Sequence, residues 1–78
     1  MIRGYYLTRS EEAICSMIMF RRKKKRISQR EIAKAIGITQ QAYQQKEKKC
    51  KFRLTEFLDI CEYLEEDPAE LIKEAIKR

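Results

Sequence analysis

Apolar residues recur along this chain at the three- and four-residue spacing of amphipathic helices, and almost no segment alternates as a strand does. The first apolar stripe consists of Ile14, Met17 and Ile18. Thr8 and Glu11 have capping-box spacing just ahead of it. The pattern therefore predicts a first helix that begins near Thr8 and runs into the basic sequence RRKKKR.

Two shorter helices are predicted next. Ser28 and Glu31 form a second capping box, which opens a helix of about nine residues. Its apolar positions are Ile32, Ala33 and Ile36. Gly37 is suited to end this helix, since glycine adopts the left-handed backbone conformation at low cost. Thr39 is a natural N-cap for a third helix through Lys48. The short turn between these helices has helix-turn-helix spacing.

Two further amphipathic helices complete the pattern. The fourth has its apolar positions at Leu54, Phe57, Leu58, Cys61 and Leu64. Asp67, Pro68 and Glu70 provide an N-cap, a first-turn proline and a capping glutamate for the fifth. The apolar face of that helix is Leu71, Ile72, Ala75 and Ile76. We therefore predict one all-α, five-helix domain over residues 1–78, in which residues 1–8 are a candidate extended arm.

Length and composition exclude several function classes. A chain of 78 residues forms one domain with a modest core and has little room for an enzyme cleft. It contains no histidine, the most common general base. We expect neither catalysis nor a cofactor. No apolar run approaches the ~20 residues of a membrane span, and the first residues do not resemble a signal peptide, so we expect a cytoplasmic protein without membrane contact.

The three cysteines also argue against two kinds of site. Cys15, Cys50 and Cys61 are odd in number and lack CxxC spacing in a chain without histidine. This pattern disfavours both a disulfide framework and a metal site, so free thiols are predicted. Cys15 and Cys61 lie on or near apolar helix faces, where cysteine packs as a small hydrophobe. Cys50 lies in a basic loop, and redox sensing there is a minor alternative.

Charge is concentrated in the middle of the chain. Residues 21–53 contain thirteen Lys or Arg and two Glu, whereas residues 54–78 contain three basic and eight acidic residues. The formal net charge of the whole chain is +6. A folded surface usually mixes signs, so the basic segment indicates a polyanionic partner. Nucleic acid is the leading candidate, and an anionic membrane surface is the weaker one.

The segment SQREIAKAIGITQQAYQQKE, residues 28–47, resembles the Cro/CI-type helix-turn-helix repressors. The resemblance extends over roughly residues 14–76 and implies a lambda-repressor-like fold. Ala33 and Gly37 occupy the small-residue and turn positions of that family. Many relatives carry glycine where this chain has Arg26 and Lys49, and an apolar residue where it has Lys46.

Four glutamines on the third helix are candidates for contact with DNA bases. They are Gln40, Gln41, Gln44 and Gln45. A glutamine amide can both donate and accept hydrogen bonds at base edges in the major groove. The resemblance assigns this role to Gln40, Gln41 and Gln45, and Gln44 lies within reach. The alternative is a solvated polar face.

Other positions are candidates for contact with phosphate. Gln29 and Thr39 lie at helix N-termini, where the family contacts the DNA backbone, although simple capping explains each equally well. The basic candidates are Lys48, Lys49, Lys51 and Arg53, for which solubility is the alternative role. The resemblance also implies a partly buried ion pair between Arg22 and Glu47.

The sequence thus predicts a transcriptional regulator of repressor type that binds a palindromic operator in double-stranded DNA as a homodimer. One alternative is an antitoxin that binds a toxin through IRGYYL or EYLEED and regulates its own promoter. Another is a controller protein of a restriction-modification system. The last is a helix-turn-helix domain with a purely structural role.

Overall fold

Five helices make up the chain in a computed structural model that describes the backbone of residues 4–77 and the side chains of residues 11–77. They are α1 (Gly4–Lys24), α2 (Gln29–Ala35), α3 (Gln40–Lys49), α4 (Leu54–Leu64) and α5 (Pro68–Lys77). Residues 4–77 contain no strand. The all-α prediction is confirmed, and the five helices occur in the predicted order.

Three of the predicted N-caps are present with their hydrogen bonds. The side chains of Ser28 and Thr39 each accept a hydrogen bond at 3.0 Å from the backbone N–H three residues later. The Asp67 carboxylate accepts one from the Ala69 N–H at 2.9 Å. These contacts satisfy N–H groups that have no partner within a helix, and they fix where α2, α3 and α5 begin.

The start of α1 differs from the prediction. The helix begins at Gly4, so Thr8 lies inside it and is not its N-cap. An extended arm over residues 1–8 is therefore wrong for residues 4–8, and residues 1–3 lie outside the described part of the chain. A capping box is a local signal, and the residues ahead of Thr8 contain no proline to stop a helix from continuing through it.

The turn between α2 and α3 depends on Gly37, which has φ +79°. The Gly37 N–H donates to the Lys34 carbonyl, and the Ile38 N–H donates to the Ala33 carbonyl, which ends α2 in one turn. A Cβ on Gly37 would meet no atom within 4 Å, so the glycine is required by its backbone conformation and not by lack of space. Ala33 is buried where α2 packs on α3.

Three other turns contain a left-handed residue that carries a side chain, namely Arg26, Cys50 and Glu65. Arg26 has φ +60°, at a position where relatives carry glycine. After α3 the left-handed residue is Cys50, with φ +56°, rather than Lys49. The loop after α3 therefore turns one residue later than the family pattern implies.

The core lies where α2 and α4 meet and continues between α1 and α5. Its fully buried side chains include Ile18, Ile32, Tyr43, Ile60 and Leu64. α1 packs on α4 and α5, and α2 packs on α3 and α4. Because α3 packs mainly on α2, one side of α3 is left facing solvent.

The apolar faces predicted for α4 and α5 are partly wrong. The buried face of α4 consists of Phe57, Ile60, Cys61 and Leu64. Leu54 and Leu58 are exposed, as are Ile72 and Ile76 of α5, which buries Leu71 and Ala75. Each helix has a polar side and an apolar face wider than its buried strip, so spacing alone did not identify the side of the apolar face that packs. The helices they pack against determine that side.

Candidate nucleic-acid interface

The two sides of α3 differ sharply in character. Tyr43 and Glu47, one turn apart, are buried against the rest of the domain. The exposed residues of the helix include Gln40, Gln41, Gln44, Gln45 and Lys48. We call these five residues the glutamine face. The i, i+1, i+4, i+5 and i+8 spacing of this face follows from the 3.6-residue period of the helix.

The amides of the glutamine face have no hydrogen-bond partner in the described part of the chain. Among the side chains of residues 11–77, none of the four glutamines forms an intramolecular hydrogen bond, and all are exposed. Gln40 and Gln41 lie in the first turn of α3, directly after the Thr39 cap. Each amide therefore presents its two donors and its acceptor to solvent.

The buried side of α3 is held by a network centred on Glu47. Arg22 of α1 donates from Nε to Oε2 at 3.0 Å and from Nη2 to Oε1 at 3.1 Å. The structure thus contains the ion pair that the resemblance implied, with exposed fractions of only 7% and 4% for its two side chains. Tyr43 donates its hydroxyl to Glu47 Oε2 at 2.7 Å. Arg22 also donates to the Ile27 carbonyl, which ties α1 to the start of α2.

These contacts keep Glu47 ionised. Burial alone would raise its pKa, but the hydrogen bonds from Arg22, Tyr43 and Gln29 hold that pKa below its ordinary value. Burial also raises the pKa of Tyr43 far above its usual range, with the hydrogen bond to Glu47 adding to the effect. The tyrosine thus stays protonated as a donor, and the orientation of α3 depends on a charged but fully partnered carboxylate.

Gln29 has a structural contact that the sequence did not predict. It is half-buried, and its Nε2 donates to Glu47 Oε1 at 2.7 Å. One of its two N–H groups is therefore engaged, and the other N–H and the oxygen have no partner in the described part of the chain. Thr39 uses its hydroxyl oxygen as an acceptor for the cap and retains its O–H as a donor.

Not all of the basic segment is available to an external partner. Arg21 forms ion pairs with Glu66 and Glu74. Lys25 lies near Glu66 and donates to the Leu64 carbonyl. These contacts join the end of α1 to the acidic half of the chain. The charges of Arg21 and Lys25 therefore stabilise contacts within the domain.

Nine of the thirteen basic residues in 21–53 form no side-chain ion pair with a carboxylate among the described side chains. They are Lys23, Lys24, Arg26, Arg30, Lys34, Lys48, Lys49, Lys51 and Arg53. All nine are exposed. The surface thus retains positive charge at the end of α1, on α2, on α3 and in the loop after α3.

The candidate phosphate ligands fall into two places. Lys48 and Lys49 lie on α3 itself, whereas Lys51 and Arg53 lie in the loop between α3 and α4. Lys46, at a position where relatives carry an apolar residue, is half-buried, and its Nζ lies 3.2 Å from the Glu56 carboxylate. This ion pair fastens α3 to α4 and explains how a lysine is accommodated there.

The Glu47 network should make stability depend on pH in the acid range. Because the folded pKa of Glu47 is lower than its ordinary value of 4.5, its stabilising effect is complete above that pH and is lost as the pH falls further. We expect the free energy of unfolding of the wild type to exceed that of Glu47→Gln at about pH 7, and the gap to narrow toward about pH 3. Urea titrations of both proteins measure this gap. A gap independent of pH would contradict the prediction.

Other kinds of site find no support in this structure. No helix within residues 4–77 is both long and apolar enough to cross a membrane. The same residues contain no cluster of three or more His, Cys, Asp or Glu side chains that could hold a metal ion. The candidate site itself is the exposed, amide-rich face of α3, with exposed lysines on α3 and in the loop after it.

Comparison with known proteins identifies the family to which this chain belongs. A family model described as helix-turn-helix matches residues 18–71, from the middle of α1 to the start of α5. Neither the curated proteins nor the solved structures gave a match. The family model covers well over half of the chain and includes α2, the Gly37 turn and α3. The chain therefore belongs to the helix-turn-helix family of the Cro/CI type, whose members are DNA-binding regulators of transcription.

Proposed function

We propose that this domain binds a palindromic operator in double-stranded DNA as a homodimer, with α3 in the major groove, and represses transcription by occupying it. The observation that carries the proposal is the glutamine face, whose amides have no partner in the described part of the chain while Glu47 holds the buried side of α3 to the domain. A major groove about 12 Å wide admits one helix. The first turn of such a helix contacts base edges.

The glutamine amides fit base recognition for a chemical reason. Adenine presents an acceptor at N7 and a donor at N6, which one amide can contact with two hydrogen bonds. Gln40 and Gln41 lie nearest the N-terminus of α3 and are proposed as the main base contacts. Gln44 and Gln45 lie one turn further along the same side. Leaving water also costs an unpaired amide little free energy when hydrogen bonds to a base replace its hydrogen bonds to water.

Phosphate contacts would then fix the position of the domain on DNA. The free O–H of Thr39 and the free N–H of Gln29 are donors at the N-terminal ends of α3 and α2. Both helix ends carry a partial positive charge that favours phosphate. The exposed cations Lys48, Lys49 and Lys51 supply attraction that does not depend on sequence.

Selection of bound sites from random double-stranded DNA tests the proposal. We expect enrichment of a palindrome whose half-sites lie about one helical turn, ~34 Å, apart. Gln40→Ala/Gln41→Ala is the matched variant, because both residues are exposed and have no intramolecular partner to lose. That variant should remain folded and should not enrich the same motif. If the wild type enriches no motif, the proposal fails, and the toxin-binding alternative becomes the better account.

Operator binding should weaken steeply with salt. If each dimer neutralises roughly six phosphates, log K should fall with log salt with a slope of about −5, from about −0.9 per phosphate. Lys49→Ala/Lys51→Ala removes two unpaired cations per protomer and should reduce the slope to about −2. Affinity should fall on operator and random DNA alike. Binding isotherms at several salt concentrations measure the slope.

The control for the salt experiment is a double variant that removes the same number of positive charges from a different helix. Lys73→Ala/Lys77→Ala removes two exposed lysines of α5, in the acidic part of the chain. Its slope should remain that of the wild type. If both double variants lower the slope equally, only net charge matters. If neither does, Lys49 and Lys51 do not contact phosphate.

A further inference from the structure

Two cysteines far apart in sequence meet at one backbone oxygen. Cys15 lies on α1, and Cys50 is the C-cap of α3. The Cys15 thiol donates to the Glu47 carbonyl oxygen at a distance of 3.1 Å, and the Cys50 thiol donates to that same oxygen at 3.8 Å. Both sulfur atoms therefore lie within hydrogen-bonding distance of a single acceptor. Cys61, the third cysteine, is buried elsewhere in the core.

The two thiols differ in access to solvent. Both line an open groove between α1, the loop after α3, and the adjoining parts of α4 and α5. Cys15 is 2% exposed, whereas Cys50 is half-buried. A small solute that enters the groove reaches Cys50 first. Burial raises the pKa of Cys15 to about 12, with its neighbour Cys50 adding to the shift, so Cys15 is a poor nucleophile toward solutes.

We propose that Cys15 and Cys50 form a site of oxidative modification, at which a hydroperoxide converts the two thiols into an intramolecular disulfide. In the first step the Cys50 sulfur attacks the peroxide, the O–O bond breaks, and the products are a Cys50 sulfenic acid and water or an alcohol. In the second, the Cys15 sulfur attacks the Cys50 sulfur. The S–O bond breaks, and the hydroxyl leaves as water with the Cys15 proton. The two thiols supply both electrons that reduce the peroxide.

The bond would link α1 to the end of α3. A disulfide requires a sulfur–sulfur distance of about 2 Å, whereas both thiols now donate to the Glu47 carbonyl oxygen. Closure therefore removes both S–H donors from that carbonyl and draws the Cys50 backbone, already left-handed at φ +56°, toward α1. This movement shifts the C-terminal end of the helix that carries the glutamine face. The expected loss of operator affinity, about tenfold, rests on the proposed function.

The chemical part of the inference is tested without DNA. The reduced full chain is treated with hydrogen peroxide and then examined by mass spectrometry, with and without dithiothreitol. We expect a monomer that lacks two thiol hydrogens, a linked peptide pair containing Cys15 and Cys50, and full reversal by dithiothreitol. Cys61→Ala should behave in the same way, whereas Cys50→Ser should form no intramolecular disulfide.

Three outcomes would overturn the site. They are dimers linked through Cys50, Cys50 oxidised further while Cys15 stays a free thiol, and no reaction of either cysteine. Binding to the selected operator is measured separately for the reduced and oxidised protein, with Cys50→Ser as the peroxide-resistant control. A disulfide that forms but leaves operator affinity unchanged would overturn the regulatory effect alone. Failure to find any operator would reject the proposed function and leave the thiol chemistry standing.

Discussion

Glu47→Ala is expected to destabilise this domain by about 3 to 5 kcal/mol, because it leaves the buried Arg22 guanidinium without its carboxylate. It also removes the acceptor for Tyr43 and Gln29. A domain of 78 residues has a total stability of roughly 4 to 12 kcal/mol. The variant should therefore lose a large share of the domain's stability and unfold at a much lower urea concentration than the wild type. Urea unfolding followed by circular dichroism measures the loss.

Two further variants separate the network from general effects of substitution. Tyr43→Phe keeps the packed ring and removes one hydrogen bond to a charged acceptor, so a smaller loss of about 1.5 to 3 kcal/mol is expected. Lys46→Ala breaks the ion pair with Glu56 nearer the surface and should cost about 1 kcal/mol or less. If Glu47→Ala were as stable as Lys46→Ala, the Glu47 network would stabilise the domain no more than the ion pair near the surface does, which would contradict the prediction.

Much of the fold follows from local signals in the sequence. Ser28, Thr39 and Asp67 each act as the N-cap that their side chains predict, since capping depends only on neighbouring residues. Gly37 has the left-handed conformation expected of a turn glycine. The Arg22–Glu47 pair depended on the family resemblance, because the two residues lie on different helices.

The contacts that the sequence did not predict join residues that lie far apart along the chain. The contacts of Gln29 with Glu47, and of Cys15 with the Glu47 carbonyl, join residues on separate helices. Periodicity assigns a helix its apolar side but does not identify its neighbours, so Leu54 and Leu58 belong to the predicted apolar positions of α4 and yet are exposed. The Tyr43–Glu47 contact was within reach of prediction, since residues four apart face each other on a helix.

Gln41→Ala is expected to weaken operator binding strongly while leaving binding to random DNA nearly unchanged. Each amide held by two hydrogen bonds to a base contributes about 1 to 3 kcal/mol of discrimination, and a dimer loses one such contact in each half-site. The ratio of the affinity for the operator to the affinity for random DNA should therefore fall roughly 30-fold or more. Because Gln41 is exposed and has no partner among the described side chains, the free energy of unfolding should not change.

The ratio of affinities for the selected operator and for random DNA, measured at one salt concentration, tests the central claim most directly. For the wild type we expect a ratio of about 10³ or more, as specific regulators show. For Gln41→Ala we expect a much lower ratio with an unchanged affinity for random DNA. A wild-type ratio near one, or a Gln41→Ala protein that retains the wild-type ratio, would contradict recognition of DNA bases by the glutamine face.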